Sequence, residues 1–132
     1  MNKLCILGLL LTLGLSPNYE ATADTPSAFA DNSYALTEAQ KIDSLINYIK
    51  GLKGATFIRN GSEHTCQEAA EHLESKYAKH ADKIKTAHSF ILNLASKSSM
   101  TGSPYKVRFA NGEVKLVQQM LEQKLKELET AK

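Results

Sequence analysis

The sequence predicts an α+β fold in one domain, with four helices and a small antiparallel sheet of about three short strands. Three observations predict it. Apolar residues recur at helical spacing in four segments, whereas apolar and charged residues alternate around Val107. Asn-Gly pairs at 60–61 and 111–112 indicate tight turns beside the strand-like runs. The patterned region, residues 37–129, is long enough to bury a single core.

Residues 1–23 have the pattern of a cleaved signal peptide. Lys3 precedes a run from Leu4 to Leu15 that is apolar or small apart from one threonine, and Ala21-Thr22-Ala23 offers the small residues of a cleavage site. The run is short for a membrane span, which needs about 20 apolar residues. A retained anchor is the alternative. We expect export, to the periplasm of a Gram-negative bacterium, with no transmembrane anchor after cleavage.

The first half of the domain is predicted as helix, strand, turn and helix. Residues 24–36 are polar or small without periodicity, so we expect a flexible lead-in. Thr37 then begins a helix, with Gln40 at the capping-box position, and Ala55–Arg59 is a short strand. The second helix runs from Cys66 to about Lys79 and is capped by Thr65 with Glu68. The residues expected inward on these two helices are Ile42, Leu45, Ile46, Ile49, Leu52, Ala69, Ala70, Leu73 and Tyr77.

The second half is predicted as a helix, a polar loop, a hairpin and a final helix. Thr86 can cap a third helix that ends at Ser96, and a loop of small and polar residues follows from 97 to 104. Residues 105–109 alternate as a strand and turn at Asn111-Gly112 into Val114 and Leu116. Because a lone strand cannot satisfy its backbone groups, we expect 55–59 to pair with the run around Val107. The inward residues of these two helices are Ala87, Phe90, Ile91, Leu94, Val117, Met120, Leu121, Leu125 and Leu128.

The charge pattern does not favour a nucleic-acid-binding protein. The net charge is +2, and cleavage leaves it unchanged because residues 1–23 contain one cation, Lys3, and one anion, Glu20. The arginines are Arg59 and Arg108, and like charges form no long run. Nucleic acid requires a clustered basic face, so we expect no nucleic-acid partner.

Cys66 is the single cysteine that remains after signal cleavage. At a helix N-terminus the helix dipole favours the thiolate, and His64 lies two residues away as a possible base. That pair indicates a thiol-dependent enzyme or redox protein. A free cysteine also behaves as a small hydrophobe, which is the structural interpretation. A third interpretation is a homodimer linked through Cys66.

The histidines do not predict a metal site. His64, His72, His80 and His88 are spaced eight residues apart. On a helix this spacing turns about 80° past two full turns and advances about 12 Å, so His72 and His80 cannot share one ion. His64 and Cys66 would supply two ligands, whereas a closed zinc site needs four. We therefore predict neither a metal nor a cofactor.

A binding site is predicted where the first strand and the polar loop would meet. Arg59 offers a bidentate guanidinium, and a loop rich in serine and glycine offers N–H and O–H donors. If the two strands pair, this loop approaches Arg59 and forms a small pocket for an anion or a carboxylate. The alternatives are a solvated or internally paired Arg59 and ordinary surface pairing along the second helix. The candidate binding residues are Arg59, Asn60, His72, Lys76, Ser98, Ser99 and Gly102.

The residues of this region also resemble a known family. The motifs Phe57-Ile58-Arg59-Asn60-Gly61, Glu63-His64-Thr65-Cys66 and His72-Leu73, continued to Pro104-Tyr105, are similar to those of the YfeK-like proteins. These are small exported bacterial proteins of unknown function. The resemblance implies export and a shared fold, and it implies no activity.

We interpret the protein as a non-catalytic binding or interaction module of the cell envelope. Its expected partner is an envelope protein, a peptide or a cell-wall fragment. The alternative is the thiol-dependent enzyme that uses Cys66 with His64.

Overall fold

A computed structural model describes residues 35–131, and the predicted signal peptide and nearly all of the predicted lead-in lie outside them. Four helices and four strands form within this range. Their order is α1 (Glu38–Lys50), β1 (Thr56–Arg59), β2 (Ser62–Thr65), α2 (Cys66–His80), α3 (Ala87–Phe90, continued by a π-helical turn over Ile91–Ala95), β3 (Lys106–Arg108), β4 (Val114–Leu116) and α4 (Val117–Thr130). None of the described helices has the length and apolar character needed to cross a membrane.

The strands form one antiparallel sheet in the order β2-β1-β3-β4. Phe57 lies at its centre, paired with His64 of β2 on one side and with Val107 of β3 on the other. The predicted pairing of the two runs is confirmed. Directly paired residues share a face, so Phe57, Val107 and His64 project toward the same side of the sheet. Arg108 projects to the opposite side and donates to Glu63, with 2.9 Å between Nη2 and Oε2.

The expectation of about three strands is corrected to four. The additional strand is β2, whose residues Ser62–Thr65 show no apolar alternation and lie largely exposed at the sheet edge. Its pairing comes from the backbone, so the hydrophobic pattern could not reveal it. Asn60 and Gly61 have φ values of 53° and 79°. The predicted turn is therefore the two-residue connection of a tight hairpin.

The predicted helix starts are confirmed by their side-chain caps. Thr37 and Thr65 each accept a hydrogen bond from the backbone N–H three residues later, and Gln40 and Glu68 complete the two capping boxes. Thr86 caps α3 in the same way through the N–H of Ser89. The π-helical turn that follows α3 is not foreshadowed by the sequence pattern.

The core lies between the helices and the inner face of the sheet. Tyr105 and Phe57 are almost fully buried, with ring centroids 5.2 Å apart. Ala69 and Ala70 are buried on α2, where small side chains allow close packing. The inward residues expected from helical spacing are buried, except that Leu52, Tyr77 and Leu128 are half-buried at the margin.

The cap of α2 yields a stability prediction. Replacing Thr65 with alanine removes the hydroxyl that accepts from the Glu68 N–H, at 3.0 Å. We expect the free energy of unfolding to fall by about 1 kcal/mol, as measured by urea denaturation. Thr130→Ala, at the exposed end of α4, is the control and should change it by less than about 0.5 kcal/mol. Equal stability of the Thr65→Ala and unsubstituted proteins would contradict the assigned cap.

Candidate functional site

A pocket of about 320 Å³ lies where the end of β1, the outer face of α2 and the loop before β3 meet. The antiparallel pairing of Ile58 with Lys106 brings the end of β1 beside the start of β3, and therefore beside the loop that precedes it. The pocket is lined by Arg59, Asn60, His72, Lys76, Lys79, His80, Ser98, Ser99, Met100 and Tyr105. None of these lining residues is acidic, and five carry cationic or ionisable nitrogen groups.

Arg59 lies over the ring of His72. Its Nη1 is 3.1 Å from Nε2 and 3.4 Å from Nδ1 of that ring. Nδ1 and Nε2 flank a single ring carbon. Because Nη1 is nearly the same distance from both nitrogens, it lies over the face of the ring and not along the lone pair of one nitrogen. A guanidinium has five N–H donors and no acceptor. Among residues 35–131, no carboxylate is recorded within ion-pair distance of Arg59.

Lys76 is held at the floor of the pocket by two acceptors. Its Nζ donates to the carbonyl oxygen of Leu94 at 2.8 Å and to the hydroxyl of Tyr105 at 3.3 Å. An ammonium has three donor hydrogens, so a third remains. The Tyr105 oxygen accepts in this bond, which leaves the hydroxyl hydrogen of Tyr105 free to donate as well.

The polar loop is fixed to the β1–β2 turn through Asn60. The Asn60 amide donates to the Ser98 hydroxyl at 3.3 Å, and its oxygen accepts from the Thr101 hydroxyl at 2.5 Å. Ser98 Oγ also accepts from the backbone N–H groups of Met100 and Thr101. Ser98 accepts in all three of these bonds, so its own hydroxyl hydrogen is used in none of them. Ser98 is a further unused donor at the pocket wall.

The pocket shifts the pKa values of three titratable side chains that line it. Burial lowers the pKa of His72, and the positive charges of Arg59 and Lys76 lower it further. Burial also lowers the pKa of Lys76, with Arg59 adding to the effect. Burial raises the pKa of Tyr105, and this is partly opposed by Arg59. His72 is therefore neutral near pH 7, and the pocket disfavours additional protons.

Six of the seven candidate binding residues from the sequence line this pocket. Gly102 does not line it. It has a φ of 77°, and its N–H donates to the Ser98 carbonyl at 2.9 Å, so it shapes the loop. Sequence reasoning missed Tyr105, Lys79, His80 and Met100 as lining residues. Lys79 and His80 lie three and four residues beyond Lys76, a helical spacing that signals a shared face. The sequence pattern places Tyr105 only at the start of an alternating strand.

Cys66 and His64 form no recorded contact with each other. Cys66 is 4% exposed, and its thiol donates to the carbonyl oxygen of Ala55 at 3.6 Å. Burial raises the pKa of this thiol. A reactive cysteine needs the opposite shift and an accessible sulfur. The geometry therefore favours the structural interpretation, and the effect of the helix dipole is outweighed by desolvation.

The described residues give no cluster for a metal ion. No three histidine, cysteine or acidic side chains among residues 35–131 are grouped so that they could hold one. His64 of β2 is instead close to Glu68, with 3.8 Å between Nδ1 and Oε1.

Comparison with known proteins gives one family and one curated relative. A sequence model described as a family of unknown function, DUF5329, matches residues 36–129. The uncharacterized protein YfeK of Salmonella typhimurium is 43% identical over 68 residues, which are 52% of this chain. The matched region spans 57% of that relative. No solved structure gives a significant match. The resemblance to YfeK-like proteins inferred from the sequence is confirmed.

The depressed pKa of His72 predicts a pH dependence of stability. At a pH below 6.5, the ordinary pKa of histidine, His72 takes up a proton in the unfolded chain, whereas in the folded chain its lowered pKa opposes protonation. The free energy of unfolding should therefore fall as the pH drops from 6.5 toward the folded pKa. His72→Gln should remove this part of the slope in denaturation measured between pH 7.5 and 5.

His88→Gln, which changes an exposed histidine of α3, is the control and should keep the slope of the unsubstituted protein. An unchanged slope in His72→Gln would show that this histidine titrates at the same pH in both states.

The buried thiol predicts slow chemical modification. In a Cys5→Ser chain, which leaves Cys66 as the single cysteine, alkylation of the folded protein should be slow and its midpoint should lie above the ordinary thiol pKa. Alkylation should become fast in denaturant, as read by intact mass. Fast modification of the folded protein well below that pKa would instead favour the thiol-dependent enzyme.

Proposed function

This chain belongs to DUF5329, a family of unknown function, and we propose that it is a non-catalytic binding module whose pocket at Arg59 holds an anionic group of its partner. The anionic group is a carboxylate or a phosphate. The partner is an envelope protein, a peptide or a cell-wall fragment that bears such a group.

The observation that carries this proposal is the set of unused hydrogen-bond donors. Lys76 has a third ammonium hydrogen, and the hydroxyls of Tyr105 and Ser98 only accept in their recorded bonds. All three residues line the pocket together with Arg59. A ligand that satisfies them must offer several acceptor oxygens. Carboxylates and phosphates do so, and charge-assisted hydrogen bonds to them are the stronger kind.

Unpaired positive charge supports the same proposal. The other arginine of the chain, Arg108, is paired with Glu63 at 2.9 Å, and Lys41 is paired with two glutamates. Arg59 and Lys76 form no such ion pair within residues 35–131, although both are half-buried. Removing a charge from water without a partner is costly. A bound anion would offset part of that cost and reduce the repulsion between the two cations.

The bonds around the pocket hydroxyls favour binding over catalysis. A serine nucleophile needs a base that accepts its proton. Ser98 is instead surrounded by donors, from Asn60 and from two backbone N–H groups. These contacts orient the hydroxyl as a donor to a ligand, which suits recognition.

Export is part of the proposal and rests on residues 1–23. The positive start at Lys3, the apolar run from Leu4 to Leu15 and the small residues at 21–23 are typical of a cleaved signal. An exported chain would meet its anionic partner in the cell envelope.

The proposal predicts that Arg59 is required for anion binding. Phosphate and acetate, added separately to isotope-labelled protein and followed by NMR, should shift the signals of the pocket residues. Arg59→Ala should weaken phosphate binding by at least about tenfold, because a hydrogen bond to a charged group contributes about 1.5–3 kcal/mol.

Arg108→Ala is the matched control, since it removes an arginine from the opposite face of the sheet. It should leave phosphate affinity within about twofold. Equal losses of phosphate affinity in the two variants would show that only the net charge of the protein matters, and this would refute a specific pocket. No response to either anion would refute the proposed function.

A further inference from the structure

A second cavity, of about 150 Å³, adjoins the first pocket at the Arg59–His72 pair, whose side chains are in contact. Both members of this pair line both cavities. The smaller cavity is completed by residues of β1, β2 and α2, namely Phe57, His64, Glu68 and Ala69. Phe57 and Ala69 give it an apolar wall, whereas His64 and Glu68 give it polar atoms. The two cavities thus share Arg59 and His72 as part of their walls.

His64, which lines this cavity, carries an unsatisfied polar atom. Its Nε2 is buried and has no hydrogen-bond partner, and it is the only such side-chain atom recorded for residues 35–131. Buried polar groups are nearly always hydrogen-bonded, so an exception indicates a missing partner. The Glu68 carboxylate lies 3.8 Å from Nδ1, on the other side of the ring. That negative charge favours a proton on Nδ1, which leaves Nε2 as a hydrogen-bond acceptor.

We propose that the cavity at Phe57, His64 and Ala69 is a second subsite for the same ligand, and that it receives a hydroxyl group that donates a hydrogen bond to His64 Nε2. This inference rests on the proposed anion site, since the hydroxyl is carried by the anion that Arg59 binds. The ligand class is therefore a hydroxylated anion, such as an aliphatic hydroxy acid or the phosphate of a polyol.

Two features of the cavity select this class. Arg59 lines the cavity, so a cationic donor such as an ammonium group would be repelled, whereas a neutral hydroxyl would not. Phe57 and Ala69 favour the short carbon chain that joins the hydroxyl to the anionic group. A water molecule is the simpler occupant, because the cavity has room for it and supplies polar partners. The two occupants differ in their effect on ligand affinity.

The test compares butyrate with 2-, 3- and 4-hydroxybutyrate, which carry the same charge and place one hydroxyl at increasing distances. Affinities are measured by NMR titration of the full chain. At least one hydroxy acid should bind at least about fivefold more tightly than butyrate, the ratio expected for a hydrogen bond of about 1 kcal/mol. In His64→Phe, which lacks the ring nitrogen, this ratio should fall below about twofold.

A second measurement needs no substitution. The ¹⁵N shifts of the His64 ring should respond to the preferred hydroxy acid and not to butyrate, because only the hydroxyl reaches Nε2. This readout holds even if His64→Phe folds poorly.

The outcomes separate the subsite from the anion site. If butyrate binds and no hydroxy acid exceeds it by more than twofold, the subsite is refuted, the cavity holds water, and the anion site stands. If neither butyrate nor phosphate binds, the anion site is refuted and the subsite with it. A hydroxy-acid preference that persists in His64→Phe would place the hydroxyl elsewhere and overturn the assignment to His64.

Discussion

The antiparallel pairing of β1 with β3 is the constraint on which the rest of the structure depends. It buries Phe57 between two neighbouring strands and brings the end of β1 to the start of β3. There the rings of Tyr105 and Phe57 pack at a tilt of 54° with their centroids 5.2 Å apart. The same register carries the loop of Ser98 to Asn60. The tight hairpin after Arg59 then returns the chain through β2 into α2. Arg59 is thereby placed against His72 by backbone geometry rather than by a carboxylate.

Fold stability and the pocket share one ammonium group. The last carbonyls of a helix have no partner within the helix, and Leu94 lies in the π-helical turn that ends α3. Lys76 of α2 donates to that carbonyl at 2.8 Å and thus ties two helices together. A second hydrogen is donated to the Tyr105 hydroxyl, and the third has no recorded acceptor within residues 35–131. Under the proposed function, loss of Lys76 would therefore affect both stability and anion binding, whereas loss of Arg59 would affect mainly anion binding.

The sequence predicts much of this architecture because its local signals agree with the tertiary structure. The caps at Thr37, Thr65 and Thr86 are local patterns, and so is the helical spacing of the core residues. The edge strand Ser62–Thr65 has no hydrophobic pattern of its own, because three of its four side chains are exposed and the fourth, His64, is polar. The pocket was partly predictable, since pairing of two strands implies that their ends meet. The free hydroxyl hydrogens of Tyr105 and Ser98 could not be predicted. They depend on which donors already bond to these two hydroxyl oxygens in the folded protein.

The neutral state of His72 explains how the fold keeps cations together. A guanidinium over an aromatic face is attracted by the electrons of the ring, but only while the ring carries no charge. Burial and the neighbouring charges of Arg59 and Lys76 hold the pKa of His72 low, so the contact is maintained near pH 7. An anion beside Arg59 would oppose those charges and make protonation of His72 easier. If the pocket binds an anion as proposed, anion binding and proton uptake at His72 would be linked, so each would make the other more favourable.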